Sequence, residues 1–500
     1  MVRHSLVLGL LPVLAAASPV PPQSTLTDCL QAFGVPAVFQ SSADFNDLAT
    51  PLNLRMKSNS KPAVITLPTN TQHVSRTIKC AKQFGIKVTT RGGGHSYNAQ
   101  CLGPNAAVVD LRNFHDVVYD PKTQLVRVGG GARLGNVAQK LYDQAKRGLP
   151  HGTCPDVGIG GHANGGFGWV GRMWGLTVDQ TVEVEVVTAD GQIRRANKSH
   201  NSDLFWALRG ASPSFGVITN FWFKTYEAPE NNIAYSYKWK THSVAQAAAS
   251  FLEIQKFAQN APKELGLLID IWTYDDGFRL YGAYFGKSQQ EFDALFAPLM
   301  EKLPKPDKTE VSMKRWIETL VFAAESSTTI TVPELGGTKL RTAFYSKNLL
   351  RDAPLSLEEL KTFFTFAFNQ ARTAAEKYGF ATGVYVSLAG GGNNIFERPE
   401  LLNESSFGQR SALWYFEFYT MIKNLTEASN AQAIDFNTKY HASVWRPTDA
   451  AYLNGHDPQL SREEAHKVYY GSQNARLSQV KKVWDNDQLF WYPQSIEPSA

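Results

Sequence analysis

Sulfur is scarce in this chain: 500 residues hold four cysteines and six methionines. That excludes the dense disulfide framework with which very small secreted domains replace a core. Charge is sparse too, at 19% of residues with a formal net charge of +5. No block of Lys or Arg resembles a nucleic-acid arm, so nucleic acid is not an expected partner. Beyond the N-terminus no stretch is continuously apolar for the roughly 20 residues a membrane-spanning helix needs, and no membrane anchor is expected. Fixed-period repeats and low-complexity segments are missing, which removes solenoids and disordered tails.

What the chain does have is length and aromatic rings. Five hundred residues exceed one ordinary core, which points to two domains or one large composite. The 29 Phe, 19 Tyr and 11 Trp suit packed cores and flat-ring ligands alike. The N-terminus reads MVRHSLVLGLLPVLAAASPVPP, with a basic start, an apolar run from Leu6 to Ala17 and small residues at Ala15–Ser18. This predicts a signal peptide over 1–18 and a secreted, extracellular protein. Asn197, Asn403 and Asn424 head glycosylation sequons. In an exported chain, Cys29 and Cys80 are a candidate disulfide tying the mature N-terminus to the first helical segment. Cys101 and Cys154 then either pair with each other or do another job.

Residues 60–90 read as strand, helix, strand: PAVITLP, TQHVSRTIKCAKQFG, IKVTT. AAVVDL and LVRVGGG add short buried strands, NVAQKLYDQAK a helix, and TVEVEVVTADGQIRRA a hairpin bending at Asp190-Gly191. From about residue 226 the texture changes. Helix-like SVAQAAASFLEIQKFAQ precedes a long hairpin turning at Asp276-Gly277, and a helix begins at a Ser356–Glu359 capping box with Leu360, Phe363, Phe364 and Ala367 on one face. GVYVSLAG and ALWYFEFYTMI add strands, and a Ser461–Glu464 capping box opens the last helical stretch. The fold class expected is α+β, with helices laid against an antiparallel sheet in the second domain.

Two glycine-rich stretches carry the candidate chemistry. RGGGHSYNAQC, residues 91–101, strips out side chains immediately before an imidazole; its free N–H groups suit an anion such as a phosphate, and a tight turn is the plainer explanation. HGTCPDVGIGGHANGGFG nearly matches a nicotinamide fingerprint at Gly158, Gly160 and Ala163. It lacks the preceding strand and the later acidic residue, so that reading is rejected. His151, Cys154 and His162 lack a recognisable fourth ligand, so no metal is expected. A Cys101–Cys154 disulfide stays open.

RGGGHSY together with HGTCPDVGIGGHANGGFGWVGRMWGLTVDQ resembles the berberine bridge enzyme-like branch of the vanillyl-alcohol oxidase superfamily, bicovalent flavoproteins that include fungal oligosaccharide oxidases and secondary-metabolite oxidases. The likeness continues through DLFWALRG, FGVIT and YYGSQNARLSQVKKVWDNDQLFWYPQSI, leaving the middle as a variable substrate domain. The resemblance implies a PCMH-type FAD-binding domain over 29–225, an antiparallel-sheet substrate domain covered by helices over 226–440, and a segment over 441–500 that returns to the first domain. His95 matches the histidyl attachment of FAD and Cys154 the cysteinyl one. Arg91, Gly92, Gly93, Gly94, Ser96, Gly158, Gly160, Gly161, His162, Gly165, Val217, Asn454 and Tyr492 match cofactor-binding positions. Cys29–Cys80 matches the family's disulfide, which leaves Cys101 unexplained. The implied reaction passes a hydride from substrate to the flavin N5, usually with molecular oxygen as final acceptor and hydrogen peroxide as product. The partner is a small-molecule or oligosaccharide substrate, and a monomer is expected.

The match fails at two places. Many relatives take their base from the second tyrosine of Tyr-x-Asn-Tyr-x-Asp. Here YLNGHDP keeps Tyr452, Asn454 and Asp457 but puts Gly455 at that tyrosine. Replacement bases are Tyr452, His456, Glu417, Tyr419 and Tyr97. His456 has the most useful ordinary pKa. Tyr97 reads more as a stacking platform, and Glu417 and Tyr419 share one face of the WYFEFYT strand. After LRG, ASPSFG replaces a longer glycine run, and Pro213 stiffens it. The expected function is an FAD-linked oxidoreductase acting on a bulky organic substrate, more in keeping with a secondary metabolite. The alternatives are an oligosaccharide oxidase at the anomeric hydroxyl and a flavin-loaded binding protein without catalysis.

Overall fold

The computed structural model describes residues 25–275, 277–326, 328–392 and 394–500. The expected signal peptide over 1–18 and Asp276 of the second hairpin lie outside the described residues. The fold is α+β and has two domains. Near the N-terminus a four-stranded sheet runs in the order Ala37–Phe39, Val64–Thr66, Ala107–Asp110, Val88–Arg91, with the last three strands parallel. Parallel neighbours need a crossover. Helix Thr71–Gln83 carries the chain across from Val64–Thr66 to Val88–Arg91, which flank Ala107–Asp110, and is capped by the Asn70 side chain accepting from the His73 N–H, with Val74 and Ile78 buried. The Cys29–Cys80 disulfide ties helix Leu26–Ala32 to this crossover.

Beside it lies a five-stranded antiparallel sheet in the order Val117–Asp120, Leu125–Gly129, Val217–Lys224, Thr181–Val187, Ile193–Asn197. The last two are the hairpin expected at Asp190-Gly191, and Gly191 sits at φ +73°, where a Cβ is strained.

The second domain is built on a seven-stranded antiparallel sheet. Its order is Lys308–Lys314, Asn232–Lys240, Gly277–Phe285, Leu265–Trp272, Phe380–Leu388, Trp414–Ile422, Ala343–Arg351. Helices Val244–Ala258, Gln289–Met300, Leu357–Thr365 and Glu427–Ala442 cover one face. Strand alternation decides what faces where. Along Trp414–Ile422, Trp414, Phe416 and Phe418 pack under the helices, while Tyr415, Glu417 and Tyr419 turn to the opposite face, where they line a cleft.

Two buried cations lock the assembly. Arg172, following the second glycine stretch, donates to five carbonyls, those of Ala261, Pro262, Leu265, Gly390 and Gly391, at 2.7–3.0 Å. Lys481, fully buried, donates to the Ser214 and Phe490 carbonyls at 2.6 and 3.0 Å and to Asp485 at 2.5 Å, which seats the C-terminal helix on the first domain.

Candidate active site

The two glycine stretches meet back to back. A Cβ on Gly93 would lie 2.3 Å from the Gly158 nitrogen, and one on Gly158 would lie 2.1 Å from the Gly93 nitrogen. These glycines are therefore not ordinary turns: side chains at either position would force the loops apart. Both loops line one cleft of about 510 Å3 that runs to the face of the seven-stranded sheet opposite its helices. Strand Val88–Arg91 delivers the first loop, and a short helix, Ile159–His162, receives the second.

His95 and Cys154 both line this cleft. The His95 Nε2 lies 3.1 Å from Asp156 Oδ2. Cys101 and Cys154 are free thiols, so the alternative of a bond between them is corrected. Cys101 is buried beside the first loop, where desolvation pushes its pKa up to about 11. His162 accepts the Gly152 N–H at 2.9 Å, and burial drives its pKa down to about 3, which keeps it a neutral acceptor. His151 holds the Gly152 carbonyl at 2.7 Å through Nδ1. Both rings thus serve the backbone of one residue.

Across the cleft stands a buried carboxylate among phenols. Tyr97 donates to Glu417 Oε1 at 3.0 Å and shares a further hydrogen bond with Tyr419, and Tyr415 also bonds Glu417. Burial raises the Glu417 pKa against the opposing pull of these three phenols. Gly455 sits in the turn Leu453–Gly455 beside this group. A Cβ there would be 2.6 Å from Asn348 Nδ2 and 3.9 Å from Glu417 Oε1. Asn348 clamps the turn: its amide donates to the Tyr452 and Gly455 carbonyls at 3.1 and 2.8 Å and accepts the Tyr452 N–H at 2.6 Å.

An FAD binding domain model matches residues 62–197, and a berberine and berberine-like model matches 451–497. The chain is 32% identical to an FAD-linked oxidoreductase of Metarhizium anisopliae, dpmaF, over 97% of this chain and 93% of that one. It is equally 32% identical to a xylooligosaccharide oxidase of Thermothelomyces thermophilus, over 97% of both. Among solved structures, a glucooligosaccharide oxidase from Acremonium strictum, described as carrying a 6-S-cysteinyl, 8α-N1-histidyl FAD, superposes with a TM-score of 0.86. The identity is 27%, covering 95% of this chain and 100% of the other.

This chain belongs to the berberine bridge enzyme-like family.

It is an FAD-dependent oxidoreductase. The residues present fit the cofactor: paired loops with no Cβ between them, and a histidine and a free thiol on one cleft. Most of the positions matched to the family do line it, among them Ser96, Gly160, Gly161, Asn454 and Tyr492. Three do not. Arg91 points away and pairs with Asp110 at 2.6 Å, bracing the loop from outside. Gly165 gives room to the Tyr452 ring, which a Cβ would meet at 2.5 Å. The Val217 side chain is buried in the core under the four-stranded sheet; alternation turns Gly216 and Ile218 to the cleft instead.

Of the replacement bases, Tyr452 is buried and already hydrogen-bonded. Its oxygen accepts from the Gly166 N–H and from Asn454 Nδ2, both at 2.7 Å, but burial outweighs these donors and pushes its pKa up to about 12, so it stands in the cleft as a neutral phenol. His456 lines the cleft against Tyr469 and Tyr492, with burial lowering its pKa to about 4. Asn403 and Asn424 are exposed, whereas the Asn197 amide nitrogen, the atom a glycan would take, donates to Glu183 at 2.7 Å. Sequence reasoning passed over Asp156 and Asn348. Asp156 had a signal, an acid two residues after the cleft cysteine; Asn348, in mid-strand, had none.

Proposed function

We propose that this is a secreted oxidase that takes a hydride from a flat, largely apolar organic molecule of the secondary-metabolite kind, with molecular oxygen as final acceptor. His95 and Cys154 would hold the flavin, and Gly92–Gly94 and Gly158–Gly161 would leave room for its close approach. When bound, the flavin supplies the two-electron acceptor. Glu417 receives the substrate proton, because it lies beside the vacated tyrosine position, whereas Glu325, which also lines the cleft, is paired with Arg279 at 2.6 Å; Tyr97 and Tyr419 orient Glu417. His456, neutral at working pH, is a hydrogen-bonding wall.

The observation that carries the substrate class is how polar groups are spent. Glu417, Tyr97, Tyr415 and Tyr419 bond one another, and beside Glu325 and Ser387 the rest of the substrate side is ring and aliphatic surface from Leu268, Tyr281, Ala323, Tyr385 and Trp169. A polyol would leave many hydroxyls without partners there. A planar apolar ligand loses nothing. The second reading, an oligosaccharide oxidase, is favoured by whole-length similarity to xylo- and chitooligosaccharide oxidases.

A peroxide assay against polycyclic and benzylic alcohols, side by side with cello-, xylo- and chito-oligosaccharides, separates the two. Turnover of the aromatic set alone is expected; turnover of the sugars alone reverses the assignment. A flavin that photoreduces and reoxidises but is bleached by neither set would mark a binding protein.

A further inference from the structure

His95 is held from behind by a carboxylate that the reaction above does not use. Asp156, itself buried, faces His95 Nε2 at 3.1 Å and is fixed from three more directions. The Thr338 hydroxyl donates to its Oδ2 at 2.7 Å, the Thr338 N–H to Oδ1 at 3.1 Å, and Arg133 Nη1 to Oδ1 at 2.9 Å. Burial opposes its charge, but the hydrogen bonds from His95 and Thr338 and the charge on Arg133 hold its pKa below the ordinary carboxylate value. An ionised carboxylate only accepts, so of the two neutral tautomers the one selected has the hydrogen on Nε2 and the lone pair on Nδ1. Among the described residues no hydrogen bond engages Nδ1.

We propose that Asp156, braced by Arg133 and Thr338, is the positioning residue that makes Nδ1 of His95 the nucleophile for the flavin 8-methyl carbon. The inference rests on the histidyl tether proposed above. In that step the Nδ1 lone pair forms the new N–C bond and one C–H bond of the methyl group breaks. Its proton and its two electrons end on the flavin ring, which is thereby reduced and later reoxidised by molecular oxygen. The imidazole becomes a cation whose remaining N–H stays on Asp156, so the carboxylate neutralises the product charge. Thr338 lies in the segment just before strand Ala343–Arg351 of the second domain, so the brace is complete only after the two domains have docked.

The same charge acts oppositely on the sulfur: burial raises the Cys154 pKa and the Asp156 carboxylate adds to that, against a backbone hydrogen bond from Asp156 that lowers it and that a side-chain substitution leaves in place. Removing the charge weakens the histidyl bond and favours the thiolate, whereas general misfolding harms both. The test uses the full-length protein, wild type beside Asp156→Asn and Thr338→Val. Peptide mass spectrometry follows flavin on the His95 and Cys154 peptides through a time course of expression. Asp156→Asn is expected to cut early His95 occupancy at least about tenfold, with Cys154 occupancy undiminished. Thr338→Val is expected to cut it roughly threefold. Wild-type occupancy of His95 in both variants overturns the proposal, as does a parallel loss at both peptides. Wild-type protein with no flavin on His95 would instead overturn the tether, and the inference with it.

Discussion

Glu417 is a single atom group with an unusual setting: a carboxyl that burial pushes toward neutrality while three phenols pull it back. A base works only when deprotonated, so the rate should rise with pH through a value above that of an ordinary glutamate. Glu417→Gln should lower kcat by about 10²–10⁴ and abolish that limb of the kcat profile, with the flavin spectrum retained. The strand's alternation made Glu417 and Tyr419 readable as one face, because period 2 is a backbone property. What could not be read is that Tyr97 would reach them from 320 residues away, or that Tyr452 would spend its oxygen on Gly166 and Asn454.

At the scale of elements, the glycine loops depend on mutual contact. Gly93→Ala places a methyl 2.3 Å from the Gly158 nitrogen, and the loops must separate at a cost of about 1–3 kcal/mol. Gly161 has nothing within 4 Å, so Gly161→Ala should leave thermal stability unchanged. Differential scanning calorimetry of the two variants checks the contrast. Helix Leu357–Thr365 gives a second case. Glu359 closes its capping box on Ser356 and pairs with Arg351 and Arg446. Although burial works the other way, these partners bring its pKa from 4.5 down to about 2. A depressed carboxylate contributes stability that is complete above the unfolded value and lost as pH falls through the folded one. Urea midpoints should therefore fall more steeply between pH 4.5 and 2 for wild type than for Glu359→Gln. The box was legible because Ser-x-x-Glu is local; the two arginines were not, since Arg446 comes from beyond the next helices.

At the scale of the whole molecule, stability rests on a few polar side chains that bind distant backbone. Arg172 supplies one guanidinium to five carbonyls from two separate segments of the second domain, 261–265 and 390–391. Arg172→Met would leave those carbonyls unpaired in a buried place. It should cost about 3 kcal/mol or more and lower the first thermal transition, with loss of cleft geometry detected as weaker flavin retention. No helix among the described residues is long and apolar enough to cross a membrane.

By itself the sequence determined what is local. Period and capping placed the strand–helix–strand unit, both hairpins and the Ser356 helix, while the cofactor class followed from the family resemblance that the two glycine motifs carry. It did not reveal strands Asn232–Lys240, Lys308–Lys314 and Ala343–Arg351. The second of these is a largely exposed edge without an apolar stripe, and the other two mix polar residues into their buried faces. Only tertiary structure decided which residues face the cleft. Asp156 stands behind His95 because Thr338 and Arg133 converge on it, and Asn348 takes the space beside Gly455 because another strand carries it there. Such contacts are fixed by how separate elements pack, and a linear pattern records only the residues that lie within one element.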